Sequence, residues 1–366
     1  MRNISTTSGR DNSFWRGKKV LITGHTGFKG SWLSLWLQSK GAHTIGYALP
    51  PHTNPNLFDT EHIAEEMISI IGDVRNLEFL QSVLGEYQPE IIFHMAAQAL
   101  VRHSYSHPVE TYSTNVMGTV NVLEAMRQTD SVRVAVIITS DKCYENKEWV
   151  WGYRENDPMG GHDPYSSSKG CAELIVSAYR KSFFSEDNNH HGIAVASTRA
   201  GNVIGGGDWS QDRLIPDIIN AFMEKKPVVI RNPNAIRPWQ HVLDPLSGYL
   251  LLAEKLWTDG QKFAQAWNFG PDDNDMVTVL EVTEYLSHLW GNEDSWELDS
   301  SKNPHEAHCL RLDCSKAQNI LGWSPALNLQ KALEWTFEYY RKYHQKQNTL
   351  QLIKDQIQFY ELGQIK

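Results

Sequence analysis

Cysteine is scarce in this chain: four of 366 residues, at Cys143, Cys171, Cys309 and Cys314. So few in so long a chain make no disulfide framework, and a reducing compartment, the cytoplasm, is expected. Long apolar runs are missing as well. No stretch approaches the ~20 residues that a membrane-spanning helix needs. The opening segment MRNISTTSGRDNSFWRGKK has no apolar core, so no secretory signal is expected in it. Positive charge is in deficit, with 34 Lys and Arg against 43 Asp and Glu, a net charge of −9 and no long basic run. That balance argues against nucleic acid or an anionic membrane as partner. Repeats and low-complexity segments are absent. What remains is an ordinary globular composition, 41% hydrophobic and 21% charged, sufficient for one large domain or two unequal ones.

What is present is an alternation. KKVLITG (18–24) is a short β-branched run ending in glycine and reads as a buried strand. HTGFKGSWLSLWLQSKG follows, with Trp32, Leu33, Leu35, Trp36 and Leu37 at helical positions and Gly41 as a stop. HTIGYAL, EEMISIIGDV, EIIFHMAA, VRVAVIITS and GIAVASTRAGNVIG supply further strands. NLEFLQSVLGEY, the stretch around TNVMGTVNVLEAMRQ and Tyr165–Phe183 supply helices between them. Strands near 20, 45, 70, 92, 136 and 196 predict an α/β fold with a doubly wound parallel sheet of the Rossmann type, six- or seven-stranded. From about residue 205 the texture changes to glycines, polar turns and shorter elements, which predicts a second, smaller α/β substrate domain. The polar segment from about 343 has two readings, one more packed helix or a loose tail.

TGHTGFKG places Gly24, Gly27 and Gly30 between the first strand and the first helix. One glycine serves the tight turn, one lets the backbone approach a pyrophosphate and one permits close helix–strand packing. The helix start adds free N–H groups and a positive dipole. Dinucleotide binding is the reading, through Gly24, His25, Thr26, Gly27, Phe28, Lys29 and Gly30. The second strand ends in GYALPPHTNP, with neither the acid that grips a ribose hydroxyl nor an arginine for a 2′-phosphate. NAD is the expected dinucleotide, with weak ribose contacts. Asp73 and Val74, after the third strand, fall where an adenine contact is common; a turn aspartate is the plainer reading.

YSSSK puts Tyr165 and Lys169 one helical turn apart on one face. Tyrosine, with a pKa of ~10, is a poor base at neutral pH, and a neighbouring ammonium favours the phenolate. TGHTGFKG, HMAAQ, TSDK and YSSSK in this order make the chain resemble the extended short-chain dehydrogenase/reductase superfamily over roughly residues 17 to 340. GHTGFKGSWLSLWL, AAQALVRHSY, TSDKCYEN, RAGNVIGGGDW and LGWSP carry the likeness to its nucleotide-sugar 4,6-dehydrating branch. The resemblance implies CDP-glucose as substrate, a place in deoxysugar supply for O-antigen lipopolysaccharide, and a homodimer or homotetramer. It also implies an NAD-binding domain at 17–200 with roughly 235–262, a sugar-nucleotide domain at 201–234 and 263–345, and tails at 1–16 and 346–366.

The implied roles follow the motifs. Tyr165 removes the carbon 4 hydroxyl proton as hydride leaves to NAD, Ser140 bonds the same hydroxyl, and Lys169 depresses the tyrosine pKa and holds the nicotinamide ribose. Elimination of water needs a further acid and base. Asp141 fits the acid, which requires burial to raise its pKa. Lys142 stands where related dehydratases carry a glutamate, and as a base it must be neutral. Ala96, Ala97 and Gln98 join the cofactor side; Arg102, Asn115, Asn202, Arg213, Leu214, Arg237 and His305 join the substrate side. An arginine fork suits phosphate. His25 and Lys29 depart from the small or apolar residues common in such loops and are expected to weaken or reshape pyrophosphate binding. Two alternatives stay open, a nucleotide-sugar 4-epimerase, for which Asp141 and Lys142 are surplus, and a non-catalytic NAD-binding regulator. In PHEAHCLRLDC, His305, His308, Cys309 and Cys314 lack the paired spacing of a zinc site, and Leu310 and Leu312 alternate as in a strand, so no metal is expected.

Overall fold

A computed structural model of the chain describes residues 13–185, 192–272, 275–291, 296–299 and 310–364. Seven strands form the main sheet. Six are β1 (Lys19–Thr23), β2 (His43–Ala48), β3 (Ile68–Ile71), β4 (Ile91–His94), β5 (Val134–Ile138) and β6 (Ala194–Arg199); the seventh is Ala266–Asn268. Across the sheet the order is Ala266–Asn268, β6, β5, β4, β1, β2, β3, and every neighbouring pair is parallel. The winding reverses between β1 and β4, and in such sheets ligands bind in the crevice at that switch point.

The sequence explains the layering. β1, β4 and β5 are near-continuous apolar runs whose side chains are buried, as a parallel sheet covered on both faces requires. One face packs against α1 (Phe28–Ser39) and the helix Leu243–Asp259 through Trp32, Leu33, Trp36, Leu246 and Leu250. The other packs against helices at Leu77–Tyr87, Gly118–Arg127 and Pro164–Ser182 through Leu80, Val83, Val122, Leu123 and Val176. The helix around TNVMGT is interrupted by a π turn at Ser113–Met117.

The later part of the chain builds helices at Leu214–Glu224, Val279–Trp290 and Leu329–His344, with small paired strands between them, among them Val228–Ile230 beside Trp296–Leu298. The segment after 343 packs as a helix, Thr349–Glu361, with Leu352, Ile353 and Ile357 buried. At the other end Trp15 is fully buried and donates its indole N–H to Glu254 at 2.6 Å. The strand expected at Leu310–Leu312 does not form. Leu312 makes a single bridge with Tyr153, and Leu310 packs in a small cluster with Cys143, Tyr144 and Tyr153. The alternation there reflects one packed side of a loop. No helix among the described residues is long and apolar enough to cross a membrane.

Candidate active site

The glycine loop lies at the switch point. Gly24 has φ +77°, and a Cβ there would lie 2.7 Å from the Ala96 nitrogen. A Cβ on Gly30 would stand 2.1 Å from the Gly24 carbonyl oxygen, so only glycine lets α1 pack this close to the turn. Gly27 caps α1 with no side-chain hydrogen bond, so the first-turn N–H groups are left for an anion. These features fit a dinucleotide pyrophosphate. Thr23 Oγ1 accepts from the N–H groups of Met95 and Ala96 at 3.1 Å each, joining the β1 and β4 ends.

The two unusual loop residues diverge. His25 is fully buried, stands over Gly46 and hydrogen-bonds Ser69 at 2.8 Å. Burial pushes its pKa down to about 4, so it is neutral and adds no charge toward a phosphate. Lys29 lines the main cavity. Burial, then Lys169 and Arg213, push its pKa down to about 7, against the opposing pull of Asp141. Of the other expected cofactor residues, Ala97 lines the cavity, while Val74 is buried against Gly118. Asp73 is bound by Arg75 at 2.5 Å in its own turn.

One cavity of about 330 Å³ collects the expected catalytic set, Ser140, Asp141, Lys142, Tyr165 and Lys169. β5 delivers Ser140, which caps a short 3₁₀ turn at Asp141–Cys143 and accepts from the Lys142 N–H at 3.2 Å. The Tyr165 helix starts where the sequence starts it: Asp163 accepts from the Ser166 N–H at 2.9 Å and Pro164 takes the first helical position. Burial pushes Tyr165 up to about 12; Ser140 and Arg213 pull it down and Asp141 pushes it up. Arg213 is thus one cation that favours the phenolate. Lys169 is itself lowered to about 8 by burial, with Cys143 and Glu173 opposing the fall, and its Nζ lies 3.5 Å from the Ile138 carbonyl.

Asp141 is buried. Ser140 Oγ donates to its Oδ1 at 2.9 Å, and its buried Oδ2 has no hydrogen-bond partner in the protein. A Cβ on Gly201 would lie 1.9 Å from that Oδ2, so glycine at 201 makes room for the carboxylate. A buried acceptor without a partner, on a residue that lines the cavity, is an unmet hydrogen-bonding group at the site.

Arg102, Asn202, Arg213, Leu214 and Arg237 line the same cavity. Arg213 pairs with Asp208 at 2.8 Å and Arg102 with Asp212 at 3.3 Å. Asn115 sits elsewhere, in the π turn. Its carboxamide accepts from the Gln98 N–H at 2.9 Å and donates to the Gln98 carbonyl at 3.0 Å and to Ser168 at 2.8 Å. It ties the loop after β4 to the Tyr165 helix. His305, with His308 and Cys309 of the metal question, lies outside the described residues. Among the described residues no group of three or more His, Cys, Asp or Glu is placed to hold a metal. Glu173, Arg199, Gly201, Asp217 and Arg231 were not found by the sequence reading; Glu173 alone left a signal there, by extending the Tyr165, Lys169 spacing another turn.

A parallel sheet with this switch point, a glycine cradle and a Ser-Tyr-Lys set at one cavity define the extended short-chain dehydrogenase/reductase architecture. The family model for GDP-mannose 4,6 dehydratase matches residues 21–336, and the chain belongs to that family. It is 55% identical over 351 residues to CDP-glucose 4,6-dehydratase of Salmonella typhimurium, covering 96% of this chain and 98% of that protein. It is 25% identical over 334 residues to UDP-glucose 4-epimerase of Halalkalibacterium halodurans, covering 88% and 96% respectively. A crystal structure of dTDP-glucose 4,6-dehydratase from Bacillus anthracis in complex with NAD matches with a TM-score of 0.75 at 26% identity, covering 91% of this chain and 100% of that one.

Proposed function

We propose that this chain is an NAD-dependent hydro-lyase that converts CDP-glucose to CDP-4-keto-6-deoxyglucose. The observation that carries the reading is the buried Asp141 carboxylate, with one oxygen unpartnered, in the cavity that also holds Ser140, Tyr165 and Lys169. A 4-epimerase has no use for an acid there, whereas an elimination does. The 55% identical relative supports the same choice.

Tyr165 takes the proton of the carbon 4 hydroxyl while Ser140 bonds that hydroxyl. NAD, when bound in the glycine cradle, supplies the hydride acceptor for carbon 4 and the donor for carbon 6. Lys142 removes the proton on carbon 5, made acidic by the adjacent ketone, and Asp141 protonates the departing carbon 6 hydroxyl; the proton held on Lys142 returns to carbon 5 as carbon 6 is reduced. Arg213 and Arg237 hold the diphosphate. Incubation with a panel of nucleotide-glucoses, read by mass spectrometry, tests the reading: loss of one water from CDP-glucose is expected, and an isomer of unchanged mass would replace the reading by epimerisation.

For the assembly we infer a homodimer or homotetramer. Val109 and Met117 on the Pro108–Arg127 stretch, with Leu174 and Phe183 along the Tyr165 helix and its end, are exposed apolar residues that a second copy would cover as a four-helix bundle. Cytoplasmic residence is consistent with the free thiols of Cys143 and Cys171.

A further inference from the structure

The cavity continues past the catalytic groups into an end for which the mechanism has no use. Leu214, at the start of the helix Leu214–Glu224, faces it together with Val228 and Ile230 of a neighbouring strand. Val228 and Ile230 are buried and Val229 between them is exposed, so the strand bordering this end is apolar throughout. Three charged side chains border this apolar end, Asp212, Asp217 and Arg231. Asp217 lies one helical turn beyond Leu214 and so on the same face. Its Oδ2 is 3.9 Å from an Arg231 nitrogen, and Arg231 is held in turn by Asp212 at 2.5 Å.

The order of groups along the cavity sets what reaches this end. Arg213 lines the cavity together with Tyr165 and immediately precedes the helix Leu214–Glu224. Asp217 lies one turn further along that helix, beside Arg231. A nucleotide sugar with its hexose at Tyr165 and its diphosphate at Arg213 and Arg237 therefore lays its base against Leu214, Val228 and Ile230.

We propose that Asp217 and Arg231 read the base of the substrate and select cytosine, Asp217 by accepting from the exocyclic amine. The inference rests on the nucleotide-sugar reading above. Its chemistry is a matter of order. The pair offers an acceptor and a donor side by side. Cytosine presents an N4 amine donor beside the N3 acceptor, and carboxylates commonly accept from that amine. Uracil and thymine present the reverse, an O4 acceptor beside an N3–H donor. With the ring clamped between apolar walls they set oxygen against carboxylate and N–H against guanidinium. Such a site rejects the wrong base chiefly because its own polar groups are left unpaired. Burial raises the Asp217 pKa to about 6, with Arg231 lowering it, so the carboxylate is mostly ionised at neutral pH and serves as an acceptor.

The test uses free nucleotides and the full chain, so it does not depend on turnover. Calorimetric affinities for CDP and UDP are measured for the wild type and for Asp217→Asn. A wild-type preference for CDP of about ten- to a hundredfold is expected, the worth of a bidentate base contact. In Asp217→Asn the preference should collapse, because a carboxamide can donate to O4 as readily as it accepts from N4. An Asp217→Asn variant that keeps the wild-type ratio overturns the proposal. So does a wild type that binds both nucleotides equally, a result that needs no variant to fold. A wild type that prefers CDP but leaves CDP-glucose unchanged sinks the reaction and leaves the base reading standing.

Discussion

Glu173 and Arg199 form an ion pair at 2.8 Å with side chains only 3% and 4% exposed. Glu173 follows Lys169 by one helical turn and Tyr165 by two, so all three share a face of one helix. Its carboxylate also accepts from Thr139, the residue before Ser140, at 2.5 Å and from Ser197 at 2.8 Å. Arg199 passes the tie onward, donating to the Tyr144 hydroxyl at 2.6 Å and the Glu155 carbonyl at 3.0 Å. One buried carboxylate thus fixes the helix that carries the tyrosine and lysine to the strand ends that carry the serine and aspartate.

Glu173→Gln should therefore be costly. Removing one partner of a buried pair leaves an uncompensated charge and typically costs about 3–5 kcal/mol. The pH dependence has a definite sign. Burial raises the Glu173 pKa, but Arg199 with the hydroxyls of Thr139 and Ser197 more than offsets this and holds it below the ordinary value. A depressed folded pKa gives stability that is present above the unfolded value of ~4.3 and is lost as pH falls through the folded value. Thermal melts at neutral pH should show the variant well below the wild type, with the gap narrowing below about pH 4. A constant gap across that range would mean that the charge is not what stabilises.

Lys169 gives the second prediction, on activity. Its pKa of about 8 means that the ammonium is lost as pH rises through that value. The groups facing it are Cys143, Glu173, Lys29 and His94. His94 is pushed down to about 3 by burial, then by Lys169, and stays neutral across the working range. Carbon 4 oxidation in single turnover should show a descending limb near pH 8. Arginine stays charged throughout, so the limb should vanish in Lys169→Arg, even at reduced rate. A limb that persists unchanged in that variant would belong to another group.

The third prediction concerns the C-terminal helix. Asp244 is buried, accepts from the Tyr360 hydroxyl at 2.8 Å and from the Ala326 N–H at 2.7 Å, and keeps its other oxygen unpartnered. Burial pushes its pKa up to about 7. An acid raised on folding opposes stability increasingly as pH climbs from the unfolded value of ~3.9 to the folded one. Asp244→Asn should thus melt higher than the wild type at pH 8 and gain nothing near pH 4. An equal or lower melting temperature at pH 8 would show that the carboxylate is stabilised by more than these two bonds.

What was legible in the sequence was local. The sheet strands, the glycine turn and the Tyr165 helix are written in runs of a few residues, β-branched stretches, a G-x-x-G-x-x-G spacing and an Asp-Pro start. The alternation of strand and helix then fixes the topology, because parallel connections cross over in one hand. What was not legible joins residues far apart. Glu173 meets Arg199 across two strands, and Gly201 faces Asp141 from the neighbouring strand end; neither pairing has a period. Asn115 is another such case: the π turn sets it to bond Gln98 and Ser168, partners that no sequence spacing announces. The alternating leucines at 310 and 312 misled because a loop with one buried side shows the same period as a strand.

The last prediction sets the assigned roles against one another. Tyr165→Phe removes the group that takes the carbon 4 proton, so neither oxidation nor any later step should occur. Asp141→Asn and Lys142→Met leave Tyr165, Ser140 and Lys169 in place and should still oxidise carbon 4. Loss of one positioned acid or base costs about 100- to 10,000-fold in its own step. Elimination then becomes slower than oxidation, and a 4-keto hexose that retains its carbon 6 oxygen should accumulate, detectable by mass after rapid quench. The two variants should differ in solvent deuterium. Asp141→Asn keeps the carbon 5 base and should exchange that hydrogen; Lys142→Met should not. Gly201→Ala supplies a purely steric version, because its methyl group falls on the Asp141 carboxylate. It should mimic Asp141→Asn, oxidising carbon 4 and failing at elimination. An Asp141→Asn enzyme that dehydrates at the wild-type rate, or a Lys142→Met enzyme that exchanges carbon 5 normally, would show that other groups supply the acid and the base.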